Sequence, residues 1–159
     1  MSDFILLSKE AYNKIKNEVE ELKTIKRPEL SQKIAEARDF GDLKENAEYH
    51  AAREALSLLE TKISKMEETI RRAKVIHSKD LPDEYISIYT SVKLLDISRD
   101  VEKNYTLVSQ EESNLQENKI SISSPVGKSL LGKKVGEIVE IKVPAGLLKY
   151  KVLDIQLSI

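Results

Sequence analysis

The segment Tyr49–Ala73, YHAAREALSLLETKISKMEETIRRA, decides the fold of the first half of this chain. Its apolar side chains recur at alternating spacings of three and four residues, at Tyr49, Ala52, Leu56, Leu59, Ile63, Met66, Ile70 and Ala73. This alternation is the a/d seam of a coiled-coil helix, and Glu, Lys and Arg occupy the faces around it. The segment therefore predicts a long helix whose seam must be covered by a second helix.

The covering helix precedes it in the chain. The same spacing starts after Ser8, a plausible N-cap, and includes Tyr12, Ile15, Val19 and Leu22. Proline lacks an amide hydrogen and clashes with the preceding turn, so we expect a kink at Arg27–Pro28 before the helix resumes. Two seams joined by a short glycine-containing segment predict an antiparallel helical hairpin over residues 1–76.

After Ile76 the periodicity of the sequence changes from helical to alternating. Residues 77–84, HSKDLPDE, form a polar, turn-rich linker. Beyond it, segments rich in Val, Ile, Thr and Tyr predict strands at 85–97, 104–110, 118–124, 137–143 and 147–159. One short helix is expected after Ser124, with Pro125 at its first position and Gly132 past its end. Residues 77–159 are therefore predicted to form an α+β domain dominated by an antiparallel sheet.

The composition narrows the class of protein. The 159 residues are 33% charged and 5% aromatic, which fits long solvated helices, and the formal net charge is −1. A near-neutral chain argues against autonomous nucleic-acid binding, and the absence of cysteine excludes disulfides and thiolate metal sites. The start lacks a signal-peptide pattern and no run approaches the roughly 20 apolar residues of a membrane span, so a cytoplasmic protein is expected.

The turn of the hairpin carries two acids three residues apart, Asp42 and Glu45, directly after Gly41. One interpretation is a capping box, in which Asp42 accepts from the backbone amide of Glu45 and Glu45 reaches back. The other is a pair of carboxylates that approach one cation, since side chains at this spacing lie on the same helical face. Magnesium suits that arrangement, although so open a pair would need a partner's site to complete the metal's ligands.

Residues 41–54, GDLKENAEYHAARE, closely resemble the hairpin tip of the Gre family of bacterial transcript cleavage factors, and within it the GreA branch more than the GreB branch. The stretches KRPEL at 26–30, IAEARDF at 34–40 and ISSPVGKSLLGKKVGEIVEIKVPAG at 122–146 are also similar to that family. The resemblance covers nearly the whole chain, and it favours the metal interpretation of the two acids.

The resemblance implies a fold, a partner and a reaction. The fold is a coiled-coil hairpin followed by an FKBP-like domain, and the partner is bacterial RNA polymerase, whose secondary channel the hairpin enters. The family's metal-stabilising acids fall on Asp42 and Glu45, which would act on Mg²⁺ of the polymerase active site, with no cofactor of the factor's own. The polymerase would then cleave the nascent RNA 3′ end of a backtracked complex, so the factor itself is an accessory protein, expected as a monomer without membrane contact.

Four further residues are candidate contacts to RNA or polymerase, namely Arg38, Lys44, Asn46 and Arg53. The cations are otherwise solvated helix charges or partners of Glu48 and Glu54, and Asn46 is otherwise a helix cap. Phe40 is an apolar ring at a turn, and it either packs back on the hairpin or contacts a partner.

Three other functions remain open. An FKBP-type prolyl isomerase would need an aromatic pocket, but residues 77–159 contain neither Phe nor Trp. A Gre-like inhibitor would enter the same channel without promoting cleavage, and its tip would differ from GDLKEN. A coiled-coil adaptor would use the tip acids for stability alone.

Overall fold

The computed structural model describes residues 4–41 and 45–159, which form two compact units. The first consists mainly of Glu10–Lys74, and the second of Leu6–Lys9 together with Val75–Ile159. The predicted α+β class is confirmed, with helices in the first unit and a curled sheet in the second.

The first unit is the predicted helical hairpin. Its elements are α1 (Lys9–Glu21), a π-helical segment (Leu22–Lys26), α2 (Arg27–Arg38) and α3 (Ala47–Arg72). The predicted seam residues of both arms are buried or half-buried, with Val19 and Ile63 among the most enclosed. The heptad spacing in the sequence therefore identified the packed faces of the helices.

Cross-helix ion pairs set the antiparallel register of the hairpin. Arg27 forms a bidentate ion pair with Glu60. Its Nε donates to Oε1 at 2.6 Å and its Nη2 donates to Oε2 at 2.9 Å. Lys23 Nζ lies 2.8 Å from Glu67 Oε2, and Lys62 Nζ lies 3.6 Å from a carboxylate oxygen of Glu18. Each exposed pair contributes little stability, but opposite charges at these positions favour this register over shifted ones.

The interruption predicted at Pro28 takes the form of a π-helical segment. The amide of Arg27 donates to the carbonyl of Leu22, five residues earlier, and the backbone stays right-handed at Lys26 and Arg27. Proline has no amide hydrogen to donate to the preceding turn. The change from α-helical to π-helical hydrogen bonds therefore lies immediately before the ring of Pro28. Pro28 then occupies the first turn of α2, where its missing amide hydrogen is not needed.

The far end of α3 differs from the prediction. The predicted helical seam includes Ala73, but α3 ends at Arg72 and the backbone of Ala73 is in the β conformation. A strand β2 (Ala73–Ile76) follows and pairs with an unpredicted strand β1 (Ile5–Ser8). Ser8 does directly precede α1, as its predicted capping position requires, and its hydroxyl donates to Glu112 over 3.0 Å.

The second unit is built on a five-stranded sheet in the order β5-β4-β3-β7-β6. Its strands are β3 (Thr90–Asp96), β4 (Val101–Val108), β5 (Lys119–Ser121), β6 (Ile138–Val143) and β7 (Gly146–Leu157). The pairings are antiparallel as predicted, except that β4 and β5 run parallel. The larger of two apolar clusters in the unit has Val92, Leu94, Leu107, Leu130, Tyr150 and Val152 among its buried members. The smaller cluster is built on Ile88, Tyr89 and Val108.

The strand predicted at 85–97 begins only at Thr90, because Tyr89 adopts a φ of +61°. This left-handed conformation is uncommon for a bulky residue and needs support from its surroundings. The Tyr89 amide donates to Leu107, its carbonyl accepts from Ser158, and its hydroxyl bonds the Glu112 carboxylate, which also accepts from Ser8 and Ser109. Burial, followed by the hydrogen bond to Glu112, raises the pKa of the Tyr89 phenol.

The short helix α4 (Pro125–Leu130) confirms the prediction from its caps. The Ser124 hydroxyl accepts from the Gly127 amide at 3.0 Å, Pro125 opens the helix, and Gly132 takes a φ of +82° beyond its end. Gly127 itself is required by packing, since a β-carbon there would lie 2.1 Å from the carbonyl oxygen of Ser121.

We expect Gly127→Ala to destabilise the second unit by about 1–3 kcal/mol, because the added methyl group overpacks against backbone. Helix propensity alone predicts the opposite sign, a gain of up to about 1 kcal/mol. Urea unfolding of the variant measures the difference, with exposed Lys128→Ala in the same helix as control. A Gly127→Ala protein as stable as the parent would contradict the packing explanation.

Candidate functional site

The chain leaves α2 through a tighter turn than that of the α-helix. After α2 ends at Arg38, the amides of Phe40 and Gly41 donate to the carbonyls three residues earlier, at Ala37 and Arg38. Gly41 then takes a φ of +113°, which suits a residue without a β-carbon. The chain thus leaves α2 through a narrow turn in which a side chain at position 41 would be strained.

Asn46 closes the turn from the other side. It is extended, with φ −88° and ψ 94°, and its Oδ1 accepts from the Tyr49 amide at 3.0 Å. Its Nδ2 donates to the carbonyl of Ala37 at 2.5 Å. Asn46 is therefore the N-cap of α3 and also links the start of that helix to the end of α2.

This assignment excludes the capping box that we considered for the two acids. Since α3 starts at Ala47, Glu45 precedes the N-cap instead of occupying the third helical position. Glu45 is exposed in the turn and forms no hydrogen bond or ion pair with another described residue. Asp42 and Lys44 lie outside the described residues, so their predicted roles as a tip acid and a contact residue stay predictions.

The two remaining candidate cations lie on opposite arms of the hairpin. Arg53 lies one turn beyond Tyr49 on α3, with its Cζ 5.7 Å from the centre of that ring, a distance suited to a cation–π contact. Tyr49 is only 8% exposed, and its ring packs edge-on against the ring of His50, with 5.6 Å between the ring centres. The Arg53 guanidinium therefore lies over a largely buried ring. Arg38 is exposed at the end of α2, on the opposite arm. The predicted contacts of these cations with RNA or polymerase stay predictions.

The electrostatics of the described tip are acidic. Glu36, Asp39, Glu45 and Glu48 are all exposed within the last turns of the hairpin, against Arg38 and Arg53. Carboxylate oxygens suit Mg²⁺, but in residues 4–41 and 45–159 no group of three or more acidic, histidine or cysteine side chains is arranged to hold a metal. The described residues of the tip therefore do not form a metal site by themselves, and the role of Glu45 as a metal ligand stays a prediction.

Sequence reasoning missed two features of this site. The first is the bond from Asn46 to Ala37, since the sequence predicted Asn46 as a contact residue and, in the alternative, as a helix cap. The second is an apolar groove beside Phe40, whose ring is 78% exposed and so does not pack back on the hairpin.

None of the helices in the described part of the chain is both long enough and apolar enough to cross a bilayer.

We expect Asn46→Ala to weaken the start of α3, since it removes both the cap and the bond to Ala37, at a cost of about 1 kcal/mol or more. The Tyr49 amide should exchange its hydrogen faster, which NMR-detected exchange measures at that residue. Glu45→Ala is the matched control and should leave this protection unchanged. Faster exchange at Tyr49 in Glu45→Ala would restore a capping role for the acid.

Two family models match the chain. The N-terminal domain of transcription elongation factors matches residues 5–75, and the C-terminal domain of GreA/GreB transcription elongation factors matches residues 81–157. A protein named transcription elongation factor GreA from Chloroherpeton thalassium is 49% identical over 158 residues, which cover 99% of this chain and 100% of that protein. A second, of the same name, from Flavobacterium psychrophilum is 50% identical and covers 98% of each chain.

Among solved structures, the GreA factor homolog 1 of Thermus thermophilus is 25% identical, with a TM-score of 0.45. That alignment covers 96% of this chain and 99% of the homolog.

Proposed function

We propose that this chain, which belongs to the GreA/GreB family of transcription elongation factors, stimulates RNA cleavage by bacterial RNA polymerase in backtracked complexes. Family membership over the full length supports a transcription elongation factor. The intact tip sequence GDLKENAEYHAARE supports the cleavage-promoting activity.

The observation that carries the proposal is the state of Glu45. Glu45 is an exposed carboxylate that neither caps α3 nor pairs with another described residue, so no contact among the described residues accounts for it. It is held next to Asn46, whose two hydrogen bonds fix the backbone where the turn meets α3. Rigid support of this kind presents a side chain to a partner at a low entropic cost.

In the proposed complex, the hairpin tip lies in the secondary channel and its carboxylates face the active centre of the polymerase. There Mg²⁺ would stabilise the attacking and leaving oxygens of phosphodiester hydrolysis, as paired metal ions do in such reactions. Glu45 and Asp42 would contribute carboxylate oxygens and orient the water. Arg53, Arg38 and Lys44 would counter phosphate charge or contact polymerase acids, while Asn46 holds the turn.

The hairpin supplies no metal, nucleotide or nucleophile of its own in this proposal. The factor is accordingly an accessory protein, and the hydrolysis belongs to the polymerase. The inhibitory alternative predicts the same binding without cleavage, and a prolyl isomerase would be independent of polymerase altogether.

The deciding experiment is 3′ RNA cleavage in a stalled, backtracked polymerase complex. We expect the parent protein to accelerate cleavage, and Asp42→Asn and Glu45→Gln each to reduce the stimulated rate by about 100-fold at saturating factor, typical for loss of one electrostatic group at a reacting centre. Both substitutions keep side-chain size and remove only charge. Glu54→Gln, an exposed acid further along α3, is the control and should cleave like the parent.

Binding to polymerase must be measured beside cleavage. If the parent binds but slows the polymerase without cleavage, the inhibitory function replaces our proposal. If both tip variants cleave normally, the acids do not take part in the reaction.

A further inference from the structure

A groove runs between α2 and α3 just behind the tip. Its volume is about 420 Å³, and it is lined by Leu30, Phe40 and the alanines Ala37, Ala51, Ala52 and Ala55. Further along the hairpin, the same seam is filled by Leu56, Leu59 and Ile63. The groove exists because methyl groups replace these larger side chains and leave the space between the helices open.

Phe40 extends the apolar surface of the groove into solvent. Its ring is 78% exposed, although burying a phenylalanine side chain is worth about 1.5–3 kcal/mol. In the hairpin Phe40 does not gain this stabilisation, although apolar groove residues lie beside its ring. An exposed aromatic at the rim of a small-residue groove is the arrangement of an interface anchor beside its pocket.

The charges around the groove define what can enter it. Glu36 lies on α2 and Glu48 on α3, so one carboxylate borders each side, with Lys33 as the cation among the lining residues. Gln32 donates to the Glu36 carboxylate at 3.1 Å, which holds that acid over α2. An arginine matches this rim, since its guanidinium pairs with carboxylates and stacks on aromatic rings while its aliphatic stem covers apolar surface.

A nucleic-acid base is the other ligand that could stack on an exposed ring. Single-strand binding sites combine such rings with a positively charged groove that follows the phosphates. Here the lining has two carboxylates and one cation, and Asp39 and Glu45 add negative charge nearby. The rim therefore favours a protein partner over RNA.

We propose that the alanine groove and Phe40 form a docking site for an apolar, arginine-bearing segment of RNA polymerase. This proposal rests on the proposed function for its partner, and assigns to a lateral face of the hairpin a contact distinct from the action of the tip acids. Phe40 would anchor the hairpin, and Glu36 and Glu48 would select the basic residue.

The test measures the Kd of each variant for RNA-free polymerase, and separately its cleavage rate at saturating concentration on the backtracked complex. Phe40→Ala removes the ring and Ala51→Leu fills the groove. Each should raise Kd about 10-fold, as expected for an interface hot spot, with cleavage at saturation retained. Glu36→Gln combined with Glu48→Gln should also raise Kd and reduce its dependence on salt.

The controls lie on α3, outside the groove lining. Leu58→Ala removes a side chain that is 65% exposed, and Ser57→Leu adds one at an exposed position. Both should leave Kd within about twofold of the parent, and circular dichroism should show equal helicity in all variants.

The outcomes separate the two proposals. Unchanged Kd for Phe40→Ala and Ala51→Leu overturns the docking site, whatever the cleavage assay shows. A second outcome is that the two variants bind polymerase more weakly than the parent protein does, but the parent protein fails to stimulate cleavage. This result supports the docking site and overturns the proposed activity. If Phe40→Ala binds RNA-free polymerase normally but loses affinity only for the backtracked complex, the ring contacts RNA and the protein-docking proposal is wrong.

Discussion

The geometry of the hairpin tip depends on the two hydrogen bonds of Asn46. One caps α3 through the amide of Tyr49, and the other reaches back to the carbonyl of Ala37 on α2. Only a side chain with both an acceptor and a donor can do this, since aspartate would place a carboxylate against the carbonyl. The link is local, yet it determines where α2 ends, where α3 begins and which residues remain in the turn between them.

A consequence is that α3 does not need Glu45 as its cap. Helix starts commonly use carboxylates as caps, and such a role would direct Glu45 toward the backbone of its own chain. With Asn46 as the cap, Glu45 remains in solvent in an acidic neighbourhood. Several carboxylates held close together repel one another, and the proposed partner offers the cations that would relieve this repulsion.

The sequence predicted regular packing well and local exceptions poorly. Heptad spacing identified the seam from Tyr12 to Ile70, since long periodic segments report directly on a buried face. It could not show that Asn46 would bond across the turn to Ala37, because that depends on the pairing of two separate helices. Nor could alternation reveal the left-handed Tyr89, which is maintained by the distant partners Glu112 and Ser158 and delays the start of β3.

The groove follows from the small residues that line the helices near the tip. Alanines at Ala37 and Ala52 bring apolar contact close to the helix axes, but they cannot fill the space that leucine and isoleucine fill further along the seam. Isolated coiled-coil stability would favour larger side chains there, because each buried methylene adds about 0.8 kcal/mol. The unfilled groove and the exposed Phe40 therefore cost the hairpin stability at the end where the proposed partner would bind. A partner that covers the groove and Phe40 would therefore recover this free energy as affinity in the complex.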